Sequence, residues 1–295
     1  MAVRLATGPV TWGVDFADTP GNPPWERVLD EIAASGLDAL ELGPLGYLPE
    51  EPAVLRSALD SRGLSAVGSF VFEDLHDPTQ AEPILAIARR ACAAICAAGG
   101  RVLVIIDRPG DRRAQTAGRT QAAPRLGHDA WASMVELIER TAAIATDEGL
   151  EPVVHPHAGS HIEFPDEIER LMDATTAGLC VDTGHLAYAG MRAEDVIERY
   201  GERVGHVHLK DVDRSILDDA HSTELDFWAA IGAGVFCPLG AGAVDFTRVK
   251  AALEGVGYAG YATIEQDRTP DSGTPLEDLK ASLRALAAAG VEAGA

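Results

Sequence analysis

The chain has 295 residues, 46% of them hydrophobic, which is enough apolar material for a large packed core and argues against disorder. With 24 Lys plus Arg against 46 Asp plus Glu, the formal net charge of −22 sets up a field that repels nucleic acid and anionic lipid surfaces and leaves a small molecule as the natural partner. No stretch has signal-peptide form or reaches the roughly 18 apolar residues of a membrane span, so a cytoplasmic location is expected, and a homo-oligomer stays open.

Strand and helix periods alternate from end to end. The first strand is predicted over Leu5 to Thr11 and the first helix over Trp25 to Ser35, ending at Gly36. A second strand follows at Ala39 to Leu42 and a third at Leu64 to Val71, after Gly63. The helix Glu82 to Ala98 leads into a fourth strand, Arg101 to Ile106, and then into the longest irregular stretch, Arg108 to Arg125, placed as an active-site loop would be. Beyond it come the helix Asp129 to Glu148, closed by Gly149, the strand Pro152 to His155, and the helix Pro165 to Asp173. The last three strands are Gly178 to Asp182, Val204 to His208 and Tyr261 to Glu265, the final two separated by the helix Phe246 to Leu253.

Eight short strands, several rich in Val, Ile or Leu, suit parallel pairing with both faces buried and right-handed crossovers. An open doubly wound sheet shows the same alternation, but a barrel of eight units takes about 250 residues plus insertions. The expectation is therefore an α/β fold, a (β/α)₈ TIM barrel forming a single domain over residues 1–295. Cys92, Cys96, Cys180 and Cys237 form no CxxC pair and read as core packing.

Six of the nine histidines fall between residues 155 and 208, at the C-terminal ends of three successive predicted strands. Strand alternation puts His206, His208 and Lys210 on one face, and Tyr261, Thr263 and Glu265 likewise together. A parallel barrel brings such ends to one mouth, where Asp182, His208 and Glu265 converge. Two carboxylates and an imidazole suit one divalent metal ion, with His155 as the fourth ligand. Mn²⁺ or Co²⁺ fits mixed oxygen and nitrogen coordination best, with Mg²⁺ and Zn²⁺ as alternatives. Taken singly, Asp182 could also cap the next helix, and His161 and His221 read as satisfied polar groups. Glu41, ending the second strand, is placed to bind substrate hydroxyls, and Trp12, ending the first, to form an apolar wall.

The motifs His155-Pro156-His157-Ala158-Gly159-Ser160, Asp182-Thr183-Gly184-His185, His206-Val207-His208-Leu209-Lys210-Asp211 and Ile264-Glu265-Gln266-Asp267 occur in that order. This pattern resembles the sugar phosphate isomerase/epimerase superfamily of xylose-isomerase-like TIM barrels, and within it the inosose dehydratases. The likeness spans the chain except for residues 69–123. It implies metal ligation by Asp182, His208 and Glu265, with His155 where the superfamily commonly carries a Glu. Departures from the dehydratase motifs are Pro156, Ser160, Arg268 and the run Asp15-Phe16-Ala17-Asp18.

What the resemblance implies is a hydro-lyase acting on a polyol or sugar, a keto-polyol of the inosose type, through a metal-stabilised enediolate. Candidate bases are Lys210, Glu265 and His157, with His185 or His206 as acid or as orienting partners of the metal shell. An isomerase or epimerase using the same enediolate is the alternative, and a non-catalytic sugar-binding barrel the third reading.

Overall fold

Short apolar runs bounded by glycine and proline form the strands. In the computed structural model, which describes residues 3–291, they are β1 (Arg4–Thr7), β2 (Ala39–Leu40), β3 (Ser65–Ala66), β4 (Gly68–Glu73), β5 (Val102–Asp107), β6 (Glu151–Val154), β7 (Gly178–Asp182), β8 (Val204–Leu209), β9 (Asp211–Val212), β10 (Phe236–Cys237) and β11 (Tyr261–Ile264). Of the expected 1–295 span, residues 1–2 and 292–295 lie outside the described residues.

One sheet runs in the order β3-β2-β1-β11-β8-β7-β6-β5-β4 with every pairing parallel, while β9 and β10 pair antiparallel beside it. The two ends of that order, β3 and β4, are separated in the chain by Val67 alone. Val67 N–H donates to Leu40 O at 2.8 Å, and Val67 O accepts from Arg101 N–H at 2.8 Å. The sheet closes through this residue, so β3 and β4 are halves of one broken third strand in an eight-stranded barrel. β7 lies between β6 and β8, as expected for the strand that carries Asp182.

The helices cover the outside with apolar stripes. Trp25–Ser35 turns Val28, Leu29 and Ile32 inward, and Ala81–Ala98 buries Ile84, Leu85, Ala88, Ala91, Cys92 and Ile95 on one face. Inside the barrel Phe70, Val104, Ile106, Val153 and Cys180 pack together. Cys92 and Cys180 are thus core residues, whereas Cys96, in the last turn of its helix, is exposed. No helix of the described residues is long and apolar enough to cross a membrane.

Several expected boundaries shift. The first strand stops at Thr7 rather than Thr11, because Gly8 and Pro9 open a 3₁₀ turn over Pro9–Trp12. β2 stops at Leu40, although Glu41 N–H still donates to Thr7 O and Leu42 N–H to Gly68 O, both at 2.8 Å. The third strand runs on to Glu73, beyond Val71. The loop after β5 is anchored by Arg113, whose buried guanidinium bonds Glu163 at 3.1 Å and Glu167 at 2.8 Å.

Closure presses β4 against β5. A Cβ on Gly68 would lie 2.2 Å from Val102 O, a backbone atom that cannot move without its strand. Gly68→Ala is therefore expected to cost about 1–3 kcal/mol, the usual scale of overpacking. Urea unfolding tests this: an unchanged midpoint would show that the seam has slack.

Candidate functional site

The C-terminal strand ends open on a cavity. Its floor is polar, with His155, His157, His185, His208, Lys210 and Glu265. Aromatic walls come from Phe70, Phe72, Phe227 and Trp228. That mixture of apolar walls and a few convergent polar groups is typical of small-molecule sites.

Four donors from four strand ends meet on the floor. His155 Nε2 lies 3.3 Å from Asp182 Oδ2, which lies 3.7 Å from His208 Nδ1, which in turn is 3.2 Å from Glu265 Oε2. Donors sharing one ion at bond lengths near 2.0–2.3 Å stand roughly 3–3.7 Å apart, so the spacing fits. Asp182 is divided between two tasks. Its Oδ1 caps the helix Thr183–Tyr188 by accepting from Gly184 N–H and His185 N–H, both at 2.8 Å, which leaves Oδ2 for the cavity.

The imidazoles are prepared by what lies beneath and around them. Burial holds His155 in its neutral, ligating form, with a pKa lowered to about 4 despite the Asp182 carboxylate. His208 Nε2 lies 2.9 Å from Glu41 Oε1, and its buried Nδ1 has no hydrogen-bond partner. A carboxylate accepts that Nε2–H, so the vacant nitrogen is the one aimed at Asp182 and Glu265. Burial opposes a proton on this ring, but Cys180 and the Glu265 and Glu41 carboxylates outweigh it and push its pKa well above the ordinary value. The field that draws a proton there is the field that would draw an ion. Glu41, Asp182, Glu265 and Asp267 are all buried, against the single ammonium of Lys210 among the buried floor groups. Such an excess of buried negative charge fits a divalent cation.

Lys210 Nζ bonds Asp267 Oδ1 at 2.6 Å and stands 3.4 Å from both Asp182 Oδ2 and Glu265 Oε2. Burial alone would lower its pKa, but these three carboxylates raise it above the usual lysine value. His157 is the opposite case. Its Nδ1 lies 2.9 Å from Ala158 O, which can only accept, so Nε2 is left without the proton. Burial and the neighbouring His185 hold its pKa well below the ordinary value. Ala158 N–H donates to His185 Nδ1 at 3.2 Å, and the other nitrogen lies 3.0 Å from Lys210 Nζ and 3.4 Å from Asp267 Oδ2.

The structure brings His155, His157, Asp182, His185, His208, Lys210 and Glu265 together and leaves three expected site residues elsewhere. Trp12 is swung out by the 3₁₀ turn. It packs in the core outside the barrel, with Nε1 donating to Glu31 Oε2 at 2.6 Å, and is no wall of the cavity. Glu41 and His206 lie one layer deeper, His206 Nε2 being 2.8 Å from Glu41 Oε1, because two residues along a strand step one layer down the barrel. Glu41 thus sits within hydrogen-bond distance of His208 and does not line the cavity. Nor does any described residue of the 108–125 loop line the cavity.

Residues 29–289 match the family model described as a xylose isomerase-like TIM barrel. The chain belongs to the xylose isomerase-like TIM barrel family. Among its relatives, an inosose dehydratase of Geobacillus kaustophilus (strain HTA426) is 30% identical over 285 residues, covering 94% of this chain and 91% of that one. The rhizopine catabolism protein MocC of Rhizobium meliloti is 29% identical, over 100% of this chain and 90% of its own. In three dimensions the chain is similar to the IOLI protein, solved with a bound zinc atom. The TM-score is 0.71 at 14% identity, covering 97% of this chain and 98% of that one, a likeness of fold.

Two titratable cavity residues were not singled out by sequence. Asp267 follows Glu265 on the same side of the chain, and the period of two was the signal available. Asp15, on the loop after the 3₁₀ turn, also lines the cavity, and burial together with Asp267 pushes its carboxyl up to about 8. Its only mark in the sequence is that the Asp15 to Asp18 run departs from the dehydratase motif.

Two substitutions test these placements. Trp12→Phe removes the bond to Glu31 and part of a buried ring, so stability should fall by about 1–3 kcal/mol with no change in ligand affinity. A change in affinity with stability intact would return Trp12 to the cavity wall. Glu41→Gln should weaken metal binding roughly 10- to 100-fold by loosening His208, as read by competition with a chelator. Equal affinity in variant and wild type would remove Glu41 from that role.

Proposed function

We propose that this protein is a hydro-lyase that removes water from an uncharged keto-polyol of the inosose type, using one divalent metal ion held by His155, Asp182, His208 and Glu265. The observation that carries the reading is the pairing, on one cavity floor, of those four converging donors with a neutral imidazole and an ammonium. The relationship to the inosose dehydratase of Geobacillus kaustophilus, over nearly the whole of both chains, supports water loss as the outcome.

An unphosphorylated substrate follows from the charges. None of the described residues lining the cavity is an arginine, and the ammonium of Lys210 is already engaged by three carboxylates. Hydroxyl groups, in contrast, find abundant acceptors there.

The ion, when bound, supplies Lewis acidity toward a ketone oxygen and a neighbouring hydroxyl, and mixed oxygen and nitrogen ligands suit Mn²⁺ or Co²⁺, with Zn²⁺ and Mg²⁺ as alternatives. His157 Nε2, without a proton, takes the proton on the carbon beside the ketone. The electron pair left behind forms an enediolate and then expels the β hydroxyl. Lys210 Nζ gives that hydroxyl a proton, so that water departs, and exchange with solvent restores both groups. Asp15, pushed up to about 8, is a second carrier of a proton at neutral pH. Aromatic walls limit water near the developing charge.

Incubation of the enzyme with an inosose and Mn²⁺ should give a product lighter by one water, and a chelator should abolish the reaction until metal is returned. His157→Gln should slow exchange of the α proton with deuterated solvent by roughly 10²-fold or more. Lys210→Met, with metal content unchanged, should keep that exchange and lose release of water. If exchange stops instead, Lys210 acts on the base side of the reaction. Exchange without water release in the wild type, on every keto-polyol tried, would turn the reading to an isomerase or epimerase.

A further inference from the structure

Beside the cavity, two loops meet at the carboxylate of a strand end on the same face of the barrel. Asp107, the last residue of β5, is fully buried. Its Oδ1 accepts from His76 N–H at 3.2 Å and lies 2.8 Å from His76 Nδ1. On the other side, Oδ2 accepts from His161 N–H at 2.9 Å and lies 3.1 Å from His161 Nδ1. The two rings face each other with centroids 4.4 Å apart, and their side chains are 22% and 12% exposed, so the pair is reached from solvent. None of the three residues lines the cavity.

We propose that His76 Nδ1, His161 Nδ1 and the Asp107 carboxylate form a second metal site, selective for a borderline divalent transition ion such as Zn²⁺ or Co²⁺. One donor atom from each residue lies within 4.8 Å of the others, close enough for a single ion after small side-chain rotations. Two imidazoles and one carboxylate suit Zn²⁺ or Co²⁺ better than Mg²⁺ or Ca²⁺, which demand more oxygen. The backbone amides of His76 and His161 already hold the carboxylate, a preorganised outer shell of the kind metal ligands commonly have. Burial would raise the Asp107 pKa, but the two histidines hold it at about 2, so the group is ionised and can only accept. Each Nδ1 therefore carries a hydrogen in this structure. Coordination requires each ring to release that hydrogen and keep one on Nε2, a change of tautomer with no movement of backbone. On the outer side Gly110 leaves room: a Cβ there would come no nearer than 3.5 Å to the His76 ring and 4.0 Å to that of His161. Water can complete the shell. An ion here would tie together the chain after β4, β5 and β6, which also supply Phe72, Ile106 and His157 to the cavity.

The site stands on its own residues, and its test separates it from the cavity centre. Wild type, His161→Gln, His208→Gln and the double variant are stripped with a chelator, loaded with Zn²⁺ or Co²⁺, desalted and assayed for metal per chain, with circular dichroism to confirm folding. Wild type should hold one more ion than His161→Gln, and His208→Gln should hold one more than the double variant. In the His208→Gln background Zn²⁺ should still raise the unfolding temperature, and adding His161→Gln should abolish that rise. If His161→Gln holds as much metal as wild type, the second site is overturned and Asp107 is a hydrogen-bonded clamp only. Loss of metal in His161→Gln but not in His208→Gln leaves this site standing and refutes the cavity centre instead. Should His161→Gln fail to fold, His76→Gln, at the more exposed of the two rings, replaces it in the same comparison.

Discussion

Glu41, Asp182, Glu265 and Asp267 are between 0 and 5% exposed around one ammonium, and the rest of the barrel mouth is arranged to hold that imbalance of charge. Carboxylates removed from water are costly unless they are paired or hydrogen-bonded. Each of these has at least one such partner: Asp182 the amides of the helix it caps, Glu41 two imidazoles, Asp267 and Glu265 the lysine. The partners nonetheless leave one oxygen of Asp182 and one of Glu265 directed at His208 Nδ1, the nitrogen without a bond. A fold selected for stability alone would not collect four carboxylates at that spot, since an apolar filling costs less.

The barrel makes this arrangement affordable by building it in layers. Glu41 and His206 form a hydrogen-bonded floor with Thr263, whose Oγ1 is 3.3 Å from His206 Nε2, and the four ligand candidates stand on that floor. Because the donors sit on strands whose backbones are fixed by parallel ladders, their separations are set by the barrel and not by flexible loops. At the rim the helix Phe227–Gly232 supplies Phe227 and Trp228, and the loop after the 3₁₀ turn supplies Asp15, closing the cavity from the sides.

This division explains which parts were legible in the sequence. Residues on strand ends obey a period of two and a shared direction, so Asp182, His208, Lys210 and Glu265 could be placed together before any coordinates. Trp12 was misplaced because a proline turn replaced the end of a strand, and apolar periodicity does not distinguish the two. Glu41 was assigned to substrate because its depth in the barrel depends on stagger between strands, a quantity absent from a single strand's pattern. The break at Val67 was hidden for a similar reason, since closure is a relation between the second and fourth barrel strands rather than a feature of the third. Asp15 lies on a loop, and His76, Asp107 and His161 are joined only by the meeting of two loops at a strand end. No local period marks such a meeting. Asp182 shows a further limit: capping and ligation were weighed as rivals, yet the two oxygens of one carboxylate serve both.

The environments of His157 and Lys210 also set their protonation states, a point on which residue type alone is neutral. Both groups are buried on the same floor, and burial acts on both to remove charge. For His157 nothing offsets it: the ring donates to a carbonyl, its neighbours are imidazoles and a lysine, and it is left uncharged with a free lone pair. For Lys210 three carboxylates overcome burial and keep the ammonium. At neutral pH the one can accept a proton and the other can give one, the division of roles proposed above. Placing the acceptor and the donor of protons on one floor is what loss of water demands, because one proton must leave carbon and another must reach the departing oxygen. Simple proton exchange at one carbon can use a single group for both steps. The division of charge between His157 and Lys210 is therefore what the elimination proposed above calls for.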